Sequence, residues 1–363
     1  MDTNFFNIVN NFLPDCRNVD IQPLGKGIIN DSYKVLADRN SYALQRINHK
    51  IFKNVPQLQD NILRVTTHIR KKLLAKSAQD VDRKVLTLLP AIDGTYFYKD
   101  AEGNFWRMMK FITDSYSYET VNEKFANNAG TAFGEFQDML SDLPGEPLFE
   151  TIPGFHNMES RLEQFRAAVK RNAAGRLSEV HDLVDEIESR SWEMCKAERL
   201  HREGKLPKRI NHCDTKVNNV LFDVNGNILC VVDLDTVMPG YVLSDFGDFM
   251  RTAANNGEED DQDLSRVSIN LGIFKAYAEG YLNAARFLTP IETENLPFGA
   301  TLLTYMQLVR FLADYMDGDT YYKIAYPKHN LQRSLAQFKL LQSMEEHFDE
   351  MNQIVMDIVK AKG

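Results

Sequence analysis

Asn211-His212-Cys213-Asp214-Thr215-Lys216-Val217-Asn218-Asn219-Val220-Leu221-Phe222-Asp223, continued as far as Asp235, decides how this chain is read. The stretch sets His212, Asp214 and Asn219 at the spacing H-x-D-x-x-x-x-N, with Lys216 following the aspartate by two residues. What comes next reads as a β-ribbon. Residues 220–223 and 228–232 are rich in strand formers and flank Val224-Asn225-Gly226-Asn227, and Asn-Gly is the strongest short hairpin signal. Folding at Asn225-Gly226 places Asn219, six residues before the turn, roughly opposite Asp233, seven after it. Two oxygen donors, one from each strand end, then converge on one point. A surface hairpin with incidental polar ends shows the same local pattern; Asp233-Leu234-Asp235 at the matching distance favours a divalent-cation site.

The spacing is that of the catalytic loop of kinases, and the chemistry explains it. A carboxylate must meet the attacking hydroxyl, which falls to Asp214. A cation must offset charge on the transferring phosphoryl group, which falls to Lys216. An amide oxygen must reach Mg²⁺, which falls to Asn219, with Asp233 as the second ligand, since this ion takes few carboxylates beside the phosphates of its substrate. Asp235 either supports that metal from behind or binds another. Asp245-Phe246-Gly247 spells the protein-kinase metal motif literally, but no hairpin returns it to Asn219. Leu243-Ser244-Asp245 instead opens a helix capped by Ser244 or Asp245, and Asp245 braces the loop from behind. Cys213 beside His212 does not make a thiol nucleophile, because neighbours in an extended loop point to opposite sides; His212 is a structural loop residue.

The rest of the composition is that of an ordinary folded protein. Over 363 residues, 44% are hydrophobic and 26% charged, enough for a large core and about two domains. Lys+Arg number 42 and Asp+Glu 51, a net −9 that argues against a nucleic-acid partner. The four cysteines (Cys16, Cys195, Cys213, Cys230) form no C-x-x-C pair, so neither a disulfide framework nor a zinc knuckle is expected. The first residues lack a basic segment before an apolar run, and the most apolar stretch, Thr301 to Met316, contains Arg310 and Asp314. A soluble cytoplasmic chain with no membrane partner is expected; a monomer is compatible with it.

Two lobes are expected. In residues 1–113, strands at Ser32–Leu36, Ser41–Ile47, Lys84–Leu89, Tyr96–Lys99 and Phe105–Ile112 surround one helix, Pro56–Ala75, whose Leu58, Ile62, Val65 and Ile69 recur at helical spacing. Residues 114–363 read as mostly helical, over Phe125–Leu140, Ser160–Arg202, Leu302–Met316 and Leu331–Val359, with one β-like island at Asn219–Val232. The acidic run Gly257 to Asp263 reads as a solvated loop. The fold class is α+β: a small, mostly-β lobe followed by a larger helical one, with a cleft between them as the place for a ligand. In the first lobe, Gly25 and Gly27 let backbone N–H groups approach phosphates, a lid over ATP, although no third glycine completes a dinucleotide or Walker fingerprint. The third strand offers Gln45 and Arg46 where protein kinases keep a phosphate-holding lysine. They face opposite ways, and periodicity does not choose between them.

These segments resemble the aminoglycoside phosphotransferase and choline kinase superfamily and, within it, the N-acetylhexosamine 1-kinases. The likeness runs through Leu44-Gln45-Arg46-Ile47-Asn48, Ile152-Pro153-Gly154-Phe155-His156, the catalytic loop, Val232 to Gly240, and Arg310-Phe311-Leu312-Ala313-Asp314-Tyr315. It implies a bilobal protein-kinase-like fold, ATP and Mg²⁺ as cofactors, Asp214 as base, Asn219 and Asp233 as metal ligands, and Arg310 as a sugar contact. The implied reaction phosphorylates the anomeric hydroxyl of free GlcNAc or GalNAc. Ile28 departs from a sugar-contacting histidine of the relatives, so the hexosamine is left open. Read without the family, Arg310 forms either an i,i+4 salt bridge with Asp314 or a clamp for sugar or phosphate. The alternatives are the same chemistry on homoserine, choline, an aminoglycoside or another sugar, and an inactive nucleotide-binding scaffold.

Overall fold

The structure, a computed structural model, describes residues 3–24, 29–118 and 121–362. Gly25, Gly27 and Ile28 lie outside the described residues. In chain order the elements begin α1 (Thr3–Asn10), β1 (Val19–Pro23), β2 (Asp31–Ala37), β3 (Asn40–Ile47), α2 (Val55–Ala75), α3 (Val81–Lys84), β4 (Leu88–Leu89), β5 (Tyr98–Lys99) and β6 (Phe105–Lys110). Next come α4 (Glu123–Leu140), α5 (Met158–Arg171), α6 (Leu177–Met194), α7 (Lys196–Arg202), β7 (Arg209–Asn211), β8 (Val220–Phe222), β9 (Ile228–Val231) and β10 (Met238–Gly240). The chain ends in helices α8 (Val242–Ala253), α9 (Leu271–Ala284), α10 (Pro290–Glu294), α11 (Leu296–Met316), α12 (His329–Glu346) and α13 (Phe348–Lys360).

Contacts gather these into two compact units. One is Met1–Ser117 with Asp142–Ile152 and Val220–Met238; the other is Tyr118–Ser141 with Pro153–Asn219 and Pro239–Gly363. The first unit thus draws on three separate stretches of the chain. The ribbon returns to the first unit because Phe222 exchanges two backbone hydrogen bonds with Tyr116, each 2.8 Å, and because Asp235 is bound there by Arg107.

The first unit is built on an antiparallel sheet in the order β1-β2-β3-β6-β4, with β5 also on β6. Alternation gives it two unlike faces. Leu44, Val35 and Met108 turn to one side, where Ile8, Val9 and Phe12 of the first helical segment cover them. Ser32, Gln45 and Arg107 form one cross-strand row on the other. Lys84–Leu89 is not the continuous strand expected: α3 occupies Val81–Lys84, leaving two residues for β4. β1 and α1 carry no strong pattern in the sequence and are held by long-range pairing and by burial.

The second unit depends on close helix crossings. A Cβ on Gly280 would lie 2.0 Å from the Asn127 carbonyl oxygen, and one on Gly130 would lie 2.3 Å from that of Tyr277, so α4 and α9 touch backbone to backbone. α8 and α11 meet in the same way at Gly247 and Gly299. α11 is the only helix among the described residues long and apolar enough to cross a membrane, but 89% of its most apolar window is buried inside the protein. Its apolarity serves the core.

A Cβ at Gly247 would come within 2.0 Å of the Gly299 oxygen, so Gly247→Ala must separate α8 from α11. Unfolding free energy should fall by about 3 kcal/mol or more, beyond the usual overpacking range. Equilibrium urea denaturation reads this directly; an unshifted midpoint would show that the crossing is not rigid.

Candidate active site

Residues 212–216, between β7 and a 3₁₀ turn at Val217–Asn219, form no regular element, so their amides need partners from elsewhere. Asp245 supplies them. Its side chain is fully buried, and its carboxylate accepts N–H groups from His212 at 2.7 Å and Cys213 at 2.8 Å, and Gln137 Nε2 at 2.8 Å. Cys213 takes φ +63°, a bend that aims two consecutive N–H groups at one acceptor. Burial pushes the Asp245 carboxyl up to about 6, with His212 and the loop amides pulling against it. Asp245 does not cap α8, as its sequence neighbours suggest. The helix starts three residues earlier, after Tyr241, and Asp245 looks back at the loop from the first turn.

Three residues on, Asp248 repeats the arrangement. It accepts the Thr215 N–H at 3.0 Å and an Arg251 N–H at 3.0 Å, while Thr215 Oγ1 donates to the Asp245 carbonyl at 2.6 Å. Burial works to raise the Asp248 pKa, but Arg251 and Lys216 outweigh it and hold the carboxyl below its ordinary range. Arg251 in turn binds Glu259. The acidic run is thus not merely solvated: Glu259 pairs with Arg251 and Asp260 with His329.

On this platform stand Asp214, Lys216 and Asn219, the candidates for the chemistry. Lys216 Nζ lies 3.1 Å from Asp214 Oδ1, and Asn219 Nδ2 donates to Asp214 Oδ2 at 3.1 Å and to the Asp214 carbonyl at 2.8 Å. Burial alone would lower the Lys216 pKa; Asp214 and Asp248 reverse this and keep the ammonium charged. His212 is buried between the rings of Phe133 and Phe136, and its Nδ1 accepts the Asp214 N–H at 3.3 Å. That is a structural histidine. Because the Asn219 amide nitrogen is turned onto Asp214, Oδ1 is the atom left for a cation. An amide oxygen and a carboxylate are a donor set that suits Mg²⁺, which draws its other ligands from water and phosphate.

The first unit holds Asp233, Asp235 and Gln45. The ribbon's ladder closes with Val220 opposite Val231, one residue after Asn219 and two before Asp233. Its loop is wider than a two-residue turn: Asp223 caps it, accepting N–H groups from Asn225 and Asn227. Asp233 adopts φ +59°, at the entry to a single 3₁₀ turn that carries Asp235. Asp235 is engaged through both carboxylate oxygens. Arg107 binds it in a two-pronged pair and Asn30 Nδ2 donates at 2.5 Å. Gln45 lies in the row with Arg107, accepting its Nε–H at 2.9 Å and donating to Ser32 Oγ at 2.9 Å; Arg46 points to solvent and pairs with Asp31. Arg107 was not among the sequence candidates. The signal for it is a charged residue set among Phe105, Trp106, Met108 and Met109 on a core strand, where only a paired charge is tolerated.

Arg310, in the second unit, does not bridge to Asp314. That carboxylate accepts the backbone N–H groups of Thr320, Tyr321 and Tyr322. The Arg310 guanidinium instead lies over Phe155 at 5.2 Å and Tyr322 at 5.7 Å and donates to Gln307 Oε1 at 3.0 Å. It borders a hollow of about 340 Å³ between α5 and α11. Beside it, His156 stacks on Phe155 with its Nδ1 shielded from solvent and lacking a partner. Burial pushes that imidazole down to about 3.

Residues 20–287 match the phosphotransferase enzyme family known as APH, and the chain belongs to that family. Its kinase-like α+β fold is shared by solved relatives. It is similar to an aminoglycoside phosphotransferase from Alicyclobacillus acidocaldarius, at 11% identity and a TM-score of 0.60 over 97% of this chain and 96% of that one. It is similar to a microcompartment-associated aminopropanol kinase at 14% identity and a TM-score of 0.57, over 96% and 98% of the two chains. An ethanolamine kinase from Plasmodium vivax gives 13% identity and a TM-score of 0.56, over 92% and 84%. At such identities the likeness establishes the fold alone.

Asp245 is surrounded by donors only, so Asp245→Asn turns an amide NH₂ against N–H groups. Stability should drop by about 1–3 kcal/mol, and phosphoryl-transfer turnover should fall more than KM rises, because the loop carrying Asp214 shifts. Unchanged kcat would sink this account. His156 gives a pH test. Its unfolded imidazole protonates near 6.5 and its folded one near 3, so its contribution is whole above 6.5 and is lost as pH falls below that. Between pH 6 and 4.5, one proton is worth about 1.4 kcal/mol per pH unit. Urea titrations across this window should show a shallower slope for His156→Gln; equal slopes would refute the assignment.

Proposed function

We propose that this protein is an ATP- and Mg²⁺-dependent phosphotransferase that phosphorylates the anomeric hydroxyl of a free N-acetylhexosamine. The observation that carries the reading is the Asp214 carboxylate with Lys216 Nζ at 3.1 Å and Asn219 Nδ2 at 3.1 Å. This is a base with a cation and an amide fixed beside it, on a loop whose backbone is held by buried acids. A scaffold protein has no physical need for that arrangement. The sugar is favoured by the resemblance of Val232 to Gly240 and of Arg310 to Tyr315, and by the aromatic faces of Phe155 and Tyr322 around Arg310.

In this reading Asp214 takes the proton of the sugar O1–H as that oxygen bonds to the γ-phosphorus. The bond from phosphorus to the β,γ-bridging oxygen breaks, and ADP leaves with the electron pair. Lys216 offsets the charge on the moving phosphoryl group. Asn219 and Asp233 are the assigned ligands of Mg²⁺, which when bound neutralises phosphate charge. Gly25, Gly27 and Gln45 are assigned to the nucleotide. The chain's residues contribute positioning and electrostatics, with no covalent enzyme intermediate.

A coupled ADP-release assay with GlcNAc, GalNAc and their 1-O-methyl glycosides tests this, with choline, ethanolamine, homoserine and an aminoglycoside as rival acceptors. The free sugars should be turned over and the blocked glycosides not. Asp214→Asn should retain the fold and lose about 10²–10⁴-fold in kcat. Equal rates on the blocked glycosides would exclude O1, turnover of an amino alcohol in place of the sugars would replace the acceptor, and near-normal turnover in the variant would remove Asp214 as base.

A further inference from the structure

The hollow between α5 and α11 contains an electrostatic imbalance. Arg161 and Arg310 both line it, and among the described residues neither forms an ion pair with a carboxylate. Arg161 donates Nε and Nη2 to the Phe155 carbonyl, at 3.0 and 2.9 Å, and Nη1 to Gln164 Oε1 at 3.0 Å. Arg310 has one polar partner, Gln307. The two acids in the same wall are committed elsewhere. Asp314 holds three backbone N–H groups and, at 2.9 Å, Asn330 Nδ2, while Asp317 pairs with Arg171 at 2.6 Å. The buried Arg107 and Arg251 and the half-buried Arg209 each pair with a carboxylate, whereas Arg161 and Arg310, also half-buried, do not. Burial and the charge of Arg310 together push Arg161 down to about 10. Three arginines against two aspartates give the lining a net positive charge, and with both acids engaged elsewhere Arg161 and Arg310 have, among the described residues, no carboxylate contact that an anion would compete with.

The geometry suits a ligand. Both guanidiniums lie over the Phe155 ring, Arg161 at 5.8 Å and Arg310 at 5.2 Å, and Arg310, with only Nη1 engaged, keeps N–H groups for a ligand. A volume of about 340 Å³ is at the lower end of small-molecule sites. The hollow is also linked to the chemistry. His156, whose Nδ1 has no partner among the described residues, feels the charges of both Arg310 and Arg161 and of Asp248 and Arg251. Asp248 in turn holds the Thr215 N–H of the catalytic loop.

We propose that Arg161 and Arg310 form an anion pocket that anchors a carboxylate, sulfate or phosphate substituent of the acceptor, so that the preferred substrate is an anionic N-acetylhexosamine rather than a neutral one. This rests on the hexosamine reading above and goes beyond it in naming the substituent and Arg161. A neutral sugar leaves both cations uncompensated; an anionic one pairs them while its anomeric hydroxyl remains free.

Calorimetric binding of GlcNAc, GlcNAc 6-sulfate, GlcNAc 6-phosphate and N-acetylmuramic acid to the full chain, with KM values from ADP release, tests the inference and separates the three anionic groups. At least one anionic sugar should bind about tenfold or more tighter than GlcNAc. Arg161→Gln should cut that advantage to about threefold or less, and Arg161→Lys, which keeps the charge, should retain more of it. A merely structural role for Arg161 would weaken anionic and neutral sugars alike. No advantage for any of the three anionic sugars, or an advantage that survives both Arg161→Gln and Arg310→Gln, overturns the inference. The two failures are distinguishable: no ADP release from any hexosamine sinks the reading above, whereas release from GlcNAc with no gain from a charge sinks this inference alone.

Discussion

A buried carboxylate facing only donors is the constraint on which the catalytic half of this molecule rests. Asp245 organises residues 211–219 by collecting two consecutive backbone N–H groups, and Asp248, one turn along α8, collects a third. Such groups are costly to bury without partners, so the loop and the helix specify each other. α8 can serve as a datum because it is itself immobilised: Gly247 and Gly299 let its backbone touch that of α11, and no side chain is interposed to act as a compliant spacer. The position of Asp214 is therefore set by a chain of contacts that reaches from a helix crossing, through two acids, to the loop.

The first unit contains an analogous device built from opposite charges. Arg107 and Asp235 are nearly inaccessible and meet in a two-pronged pair, with Asn30 and Gln45 satisfying further hydrogen-bonding positions. Pairs of this kind stabilise little when compared with an apolar substitute, but removing one partner leaves a buried charge and costs about 3–5 kcal/mol. Their value is specificity of arrangement: the pair joins β6 to the turn that follows the ribbon.

Against these satisfied networks the hollow at α5 and α11 stands out by contrast. Elsewhere the chain provides a counter-charge for each deeply placed arginine named above, and there it provides aromatic faces and backbone carbonyls. A charge away from water needs an opposite one, which accounts for the paired sites as structure.

Much of this was legible from residue order alone. The spacing of Asp214, Lys216 and Asn219, the ribbon after them, the β2–β3 hairpin and the stripe of α2 all depend on neighbours within a few turns or one hairpin, and such patterns are written locally. The bracing role of Asp245 was also readable, because no hairpin could carry it to Asn219. What only the tertiary structure decided were the partners: that Asp235 belongs to Arg107, 128 residues away, that Asp314 caps a turn and leaves Arg310 unpaired, and that the acidic run is tied down by Arg251. A charged side chain accepts many partners at equal intrinsic strength, so its choice is made by which backbone segments packing brings within about 3 Å, and that distance is a property of the whole fold.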